Sequence, residues 1–321
     1  MSARRRPAVP AQAGLHALAV FRALGLPFTS RIAPFPEIPV APGPGLPYWW
    51  SMNAPSGSGP GPTILLSAGC LFHLPLKRIA SIGRDAGFVG MELIMNSPKL
   101  VPGPELERIS EVLPIMSLHA PFRDWAAWGG HLGSWKATTA LANSLPHADH
   151  ITMHPPGSKL ANMITNRWFE KACDLPLLLD ARGRIRFSLE NMPWAEGSPF
   201  SRDPLDKLLD QCRDRNVGLT FDVCHMGVSG RNVMDSIAKV PMDMLYNVHY
   251  SDARGHTEHL TPGKGCLPLA DFLRHLGSRG YSRYVTLELE PAAFPDDIDG
   301  TVALLATLRQ DMERHLASTP E

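Results

Sequence analysis

The chain has 321 residues, a formal net charge of zero and 44% hydrophobic residues, enough apolar material for one large α/β domain or two ordinary ones. The balanced charge excludes the global basic excess of a general nucleic-acid binder, although a local basic groove stays compatible with it. The five cysteines are odd in number, widely spaced and lack a Cys-x-x-Cys pair, which argues against a disulfide framework or a thiolate zinc site and for a reducing cytoplasm.

In chain order, Arg4, Arg5 and Arg6 precede an apolar stretch that His16 and Arg22 interrupt and that is too short to cross a bilayer, so neither a signal peptide nor a membrane helix is expected. Residues 1–62 read as a Pro/Gly-rich extension and linker: they hold twelve of the 31 prolines and end in the run Ala54 to Pro62. Leu15 to Leu26 could form one short amphipathic helix. The paired Trp49 and Trp50 favour a segment draped over the domain, since exposed indoles cost solubility.

From residue 63 to 321 strands and helices alternate. The predicted strands are Thr63–Ala68, the stretch through Met91–Leu93, Ile115–His119, a run ending at His154, one ending at Glu190, Gly218–Asp222, one ending at His249, and Tyr284–Leu289. The predicted helices are Leu76–Ala86, Pro104–Leu113, Ser134–Leu145, Arg167–Ala181, Pro204–Arg215, Val233–Ala238, Leu267–Ser278 and Ile298–Leu316. Eight strand–helix units of this total length predict a (β/α)8 TIM barrel of the α/β class, whose active sites sit at the C-terminal strand ends.

Six of these strands are apolar runs that close on a potential metal ligand. Glu190, Asp222, His249 and Glu288 come from four adjacent staves and can converge on one divalent ion as a carboxylate and imidazole set. Without a cation, buried charges at four neighbouring strand ends would each be costly. His119 and His154 could hold a second ion bridged through Glu190, or hydrogen-bond a substrate. His225 and His259 could bind a third ion, but substrate or phosphate contact is the favoured use. His73 and Glu92 end the first two strands and could line a pocket or be structural. Trp125, Trp128 and Trp194 could stack on a sugar ring or pack on one another. His131, His147, His150, His275 and His315 fall away from the strand mouths and receive no role.

The ordered series His119-Ala-Pro-Phe, His154-Pro-Pro-Gly, Leu189-Glu190-Asn191, Phe221-Asp222-x-x-His225, Val248-His249-x-x-Asp252, His259-x-x-x-Gly263-Lys264-Gly265 and Leu287-Glu288 resembles the xylose isomerase-like TIM-barrel superfamily over residues 63 to 316. That superfamily includes sugar isomerases and epimerases and the endonuclease IV group. Resemblance to the ketose 3-epimerases implies that Glu190, Asp222, His249 and Glu288 bind a divalent metal ion (Mn, Mg, Co or Zn), with Glu190 and Glu288 doubling as the acid–base pair. It implies that His225 touches a substrate hydroxyl, and His259, Asp252 and Trp194 are taken with it as candidate substrate contacts. The first reading is therefore a metal-dependent isomerase or epimerase of sugars or sugar phosphates, in which a proton leaves a carbon beside a carbonyl and the ion stabilises the enediolate.

The endonuclease IV group shares the four ligands, and its three-zinc pattern is matched by His119, His154, His225 and His259. Thr257 replaces an expected aspartate, the loop from His249 to His259 is shorter, and Lys264 replaces a glutamate. The alternative reading is a zinc-dependent phosphodiesterase acting on abasic DNA, with Arg123, Lys159, Arg254 and Lys264 as the obvious loop cations. A third class is a catalytically inactive ligand-binding barrel. The expected partner is a small carbohydrate, with nucleic acid only under the alternative and no membrane; an oligomer is compatible with the sequence.

Overall fold

A computed structural model of the chain describes residues 61–157, 166–180, 182–193 and 203–318. The expectations for the Pro-rich extension, including the Leu15–Leu26 helix and the Trp49–Trp50 pair, lie outside the described residues, as do those for Lys159 and Trp194. Among the described residues no helix is long and apolar enough to cross a membrane.

The strands are β1 (Thr63–Ser67), β2 (Met91–Ile94), β3 (Ile115–His119), β4 (His150–Met153), β5 (Arg186–Glu190), β6 (Gly218–Asp222), β7 (Leu245–Tyr250), β8 (Asp252–Arg254), β9 (Thr257–Leu260) and β10 (Tyr284–Leu287). Eight of them form a closed barrel in the order β1-β10-β7-β6-β5-β4-β3-β2, while β8 and β9 make a separate two-stranded hairpin. Neighbouring staves are parallel, as in Thr63↔Tyr284 and Asp222↔His249. The fold is thus the expected TIM barrel.

The helices are α1 (Leu76–Asp85), α2 (Pro104–Val112), α3 (Gly130–Ser144), α4 (Arg167–Lys171), α5 (Leu175–Leu179), α6 (Pro204–Asp214), α7 (Val223–Val228), α8 (Val233–Ala238), α9 (Leu269–Ser278) and α10 (Ile298–Ala317). Local chemistry sets their ends. Pro104 opens α2 with Glu105 and Glu107 in its first turn, where the missing N–H costs nothing and acidic groups meet the helix dipole. α1 stops at Gly87, whose φ of +84° is left-handed, a conformation that costs glycine little. The single helix expected over 167–181 is instead two short ones. Asp174 starts the second by accepting the Leu177 N–H at 2.9 Å, and Pro176 sits in its first turn.

Strand alternation divides the side chains. Outward residues meet the helices, as where Phe221 stacks on Phe272 of α9 with centroids 5.6 Å apart. Inward residues in the middle of the barrel are polar, where such barrels usually pack aliphatic side chains. His150 lies between Ser117 Oγ and Ser188 Oγ, each 2.9 Å from a ring nitrogen. Ser188 bonds Thr220 at 2.5 Å, and Thr286 donates to Asn247 Oδ1 at 3.0 Å. His150, expected away from the strands, therefore begins β4 and belongs to the barrel interior; burial and nearby positive charge push its pKa well below the ordinary value.

Candidate active site

Just above this layer, at the C-terminal mouth, Glu190, Asp222, His249 and Glu288 each offer a ligand atom, all within 4.8 Å of one another. Nδ1 of His249 is their centre. Glu190 Oε1 and Glu288 Oε2 both lie 3.0 Å from it, and Asp222 Oδ2 lies 3.9 Å away. The side chains of His249 and Asp222 are fully buried, Glu190 is nearly so, and Glu288 is 18% exposed.

These positions follow from the chain's local rules. Asp222 ends β6 and is also the N-cap of α7, where its Oδ1 accepts the His225 N–H at 2.6 Å. Its Oδ2 is buried without a hydrogen-bond partner. Asn191 holds the turn, donating to the Asp222 carbonyl at 2.9 Å and accepting the Asp222 N–H at 2.8 Å. Helix α7, which starts directly at the strand end, was not anticipated.

The electrostatics are those of a crowded, shared set of protons. Burial would favour the neutral form of Glu190, but His249, His154 and His119 around it hold its carboxyl well below the usual range. Glu288 is likewise pulled low, against its burial, by His249. Asp222 goes the other way, since burial outweighs the attraction of His225 and His259. His249 opposes its own burial and is held well above the usual histidine value by Glu190, Glu92 and Glu288.

His119 and His154 converge on the other oxygen of Glu190, Oε2, at 3.1 and 2.9 Å. Their ring centroids are 4.9 Å apart and nearly perpendicular. They titrate in opposite directions. His119 is raised to about 9 because its bond to Glu190 overcomes burial, while burial wins at His154, helped by the charge on His119.

His225 and His259 stand on the far side, 5.5 Å apart by ring centroid. With Asp222 they form a second cluster that could hold an ion, and His119, Glu190 and His249 form a third. His225 Nδ1 bonds the Asn191 carbonyl at 3.0 Å and lies 3.5 Å from both Glu190 Oε1 and Asp222 Oδ2. His259 occupies the left-handed region at φ +53°, its N–H on Cys224 Sγ at 3.2 Å. A non-glycine residue pays for that conformation, and such sites cluster at functional positions.

Other expected residues have different uses. Asp252 is 2% exposed, and its carboxylate accepts the backbone N–H groups of Ala253, Gly263, Gly265 and Leu267 at 2.9 to 3.0 Å. It folds the loop after β7 instead of facing a substrate. Trp125 donates to the Pro121 carbonyl at 2.9 Å and stacks on His131, with centroids 4.1 Å apart. His73 is exposed, and Arg254 donates to the Gly265 carbonyl at 3.4 Å.

Glu92 was undervalued in the sequence. It is fully buried; its Oε2 accepts Ser117 Oγ at 2.6 Å and Asn247 Nδ2 at 2.9 Å, and its Oε1 lies 3.0 Å from Nε2 of His249. The signal was there: an acid at the inward position of β2, one strand from the site's ring.

The cluster opens into a cavity of about 580 Å³. His119, His154, Glu190, His225, His259 and Glu288 form its floor, with Phe72, Leu74, Ile94, Phe122 and Met192 on the walls. Glu258 and Glu290 also line it, and Arg123 is the only Lys or Arg among the described lining residues.

Comparison with known proteins agrees with this architecture. An uncharacterised protein of Mycobacterium tuberculosis is 21% identical over 256 residues, covering 71% of this chain and 89% of its own. Fructoselysine 3-epimerase of Escherichia coli O157:H7 is 32% identical over 107 residues, which is 31% of this chain and 34% of that enzyme. Among solved structures, the IolI protein with a bound zinc atom superposes with a TM-score of 0.62 at 14% identity, over 80% of this chain and all of that one. D-allulose 3-epimerase from Methylomonas sp. superposes with a TM-score of 0.58 at 15% identity, over 80% and 99% of the two chains. The family model described as xylose isomerase-like TIM barrel matches residues 82–310, and the chain belongs to that family.

Proposed function

We propose that the protein is a divalent-metal-dependent isomerase or epimerase of a sugar or sugar derivative. The observation that carries this reading is the convergence of Glu190 and Glu288 on His249 Nδ1, 3.0 Å from each, at the floor of a cavity that both carboxylates line. The residues fit a cation. Three carboxylates and one imidazole form a hard, oxygen-rich set, and the orphaned, buried Oδ2 of Asp222 lacks the partner that such an atom ordinarily has. Glu190, Asp222, His249 and Glu288 would hold the ion, which would stabilise negative charge developing on substrate oxygens.

The chain's own residues do the rest. Glu190 and Glu288 are both held as anions, so one can take a proton from a carbon beside a carbonyl and the other, once protonated, can return one. His225 and His259 edge the cavity with imidazole nitrogens suited to substrate hydroxyls. The apolar walls limit water around the reacting carbon. The fructoselysine and D-allulose epimerases among its relatives and structural neighbours support this chemistry.

The test is solvent isotope exchange: metal-reloaded protein is incubated with a panel of ketoses in deuterium oxide, and incorporation at the carbon beside the carbonyl is read by NMR. Exchange that disappears in Glu190→Gln and Glu288→Gln is expected. Saturating metal with no exchange in any ketose would sink the reading.

A second reading, a multi-ion phosphodiesterase, is favoured by His119 and His154 sharing Glu190 Oε2 and by the Asp222–His225–His259 cluster. The carboxylates of Glu258 and Glu290 at the cavity wall work against a polyanionic backbone, which needs cations to hold its phosphates. It therefore ranks second.

A further inference from the structure

A second cavity of about 430 Å³ adjoins the first. It is lined by Met95, Asn96, Pro98, Ala127 and Trp128 among others, and it shares Asn96, Phe122 and Arg123 with the site cavity, so the two meet at that trio. The loop that forms the junction is built to hold its shape. Asp124 adopts the left-handed conformation at φ +54°, the Ala127 N–H bonds the Asp124 carbonyl at 2.9 Å, and the Trp125 indole is tied to Pro121 and stacked on His131. Arg123 is the only Lys or Arg among the described lining residues of either cavity, and its guanidinium carbon lies 5.2 Å from the Phe122 ring centroid.

The first cavity alone falls within the roughly 300–1,000 Å³ that holds a whole small ligand. A free sugar over Glu190 and Glu288 would leave the second unfilled. Its lining is mostly apolar, with an amide at Asn96 and a cation at the doorway. Resting on the isomerase reading above, we propose that the second cavity is a subsite for a tail of the substrate, one that carries an anionic group received by Arg123. The substrate class is then a ketose conjugate with an anion remote from the reacting carbons. Arginine suits this use because its planar fork pairs two donors with a carboxylate or a phosphate. Asp124 also lines the second cavity and lowers its net charge, which favours a singly charged carboxylate over a phosphate dianion.

Binding to the full-length protein separates this proposal from the reaction. Calorimetric titrations with D-fructose, D-fructose 6-phosphate and N-(1-deoxyfructosyl)glycine are compared in the wild type, Arg123→Gln and Ala127→Trp. The carboxylate conjugate is expected to bind at least about 10-fold more tightly than fructose, as hydrogen bonds to charged groups warrant. That gain should vanish in Arg123→Gln and in Ala127→Trp, which fills the second cavity, while fructose binding is unchanged in Ala127→Trp. A gain only for the phosphate, with the same dependence on Arg123, supports the anion receptor and assigns phosphate as the group. Equal binding of all three ligands, no binding of any, or a gain indifferent to Arg123→Gln overturns the subsite. Arg123-dependent binding without carbon-proton exchange in any ketose would leave the subsite standing and refute the isomerase reading alone.

Discussion

Glu92 Oε1 lies 3.0 Å from His249 Nε2, on the opposite side of the imidazole from Glu190 and Glu288. The pair is an ion-pair contact without hydrogen-bond geometry. A carboxylate behind a metal-binding imidazole orients the ring, and losing such a partner typically costs about 10–100-fold in metal affinity. Glu92→Gln is expected to weaken divalent-metal binding by that factor while retaining the far-ultraviolet circular dichroism of the barrel. Titration against a competing chelator measures it. An unchanged affinity would reduce Glu92 to a polar member of the barrel interior.

Asp222 divides its two oxygens between a helix and the cluster, so two substitutions separate the roles. Asp222→Ala should remove the cap, at about 1 kcal/mol, and the metal-induced rise in Tm. Asp222→Asn should remove most of the metal effect but keep the cap and the metal-free Tm. Scanning both variants with and without metal tests this; an equal loss of metal-free stability in the two would refute the division.

Metal affinity should rise with pH. His249 is held protonated well above the usual histidine value by its carboxylate neighbours, so a cation must displace that proton. Proton release on binding, read by calorimetry in buffers of different ionisation enthalpy, is expected near neutral pH. Proton uptake would contradict the charge assignment.

The two enzyme readings part at His119 and His154. Substituting both by Gln leaves the Glu190, Asp222, His249 and Glu288 set in place, so an isomerase should keep measurable turnover with a raised KM, whereas a multi-ion phosphodiesterase should lose all activity. Ketoses and an abasic DNA duplex are assayed side by side. Metal-dependent strand cleavage that the double variant lacks would reverse the ranking.

His131 offers a stability test outside the cluster. Burial and the charge of His154 lower its pKa to about 4 from 6.5. The unfolded chain therefore binds the proton first, and the stability contributed by neutral His131 is complete above pH 6.5 and lost as pH falls towards 4. Discounted for solvent screening, the effect is about 1 kcal/mol, or roughly 2–4 °C in Tm. The acid-induced fall in Tm between these pH values should be smaller by that amount in His131→Leu, and parallel curves would show that His131 does not contribute.

The barrel and the convergence of Glu190, Asp222, His249 and Glu288 at its mouth were legible because both depend on short-range regularities. An apolar run that closes on Glu190, Asp222 or His249 marks a stave and its mouth together. What escaped depends on contacts across the barrel. Nothing near Glu92 in the chain shows that His249 lies 3.0 Å from it, and His150 looks like a loop residue until β4 begins at its own position. Asp252 misled for the opposite reason: a strand-end acid near the site, its oxygens are taken up by four backbone N–H groups. The break in the 167–181 helix was written in Asp174 and Pro176, outweighed in a periodicity reading by the leucines around them.

The Asp252 clasp also decides which side of the mouth can move. Its hydrogen bonds reach from residue 253 to residue 267, and Gly265 packs so closely that a Cβ there would come within 2.1 Å of the Asp252 carboxylate. The segment that carries His259 is thereby a bracket, not a flap, and it needs no sulfur bond to stay shut. Phe72 and Phe122, which also line the cavity, stand outside this clasp, so among the described residues it is the His259 wall whose position is fixed by its own backbone.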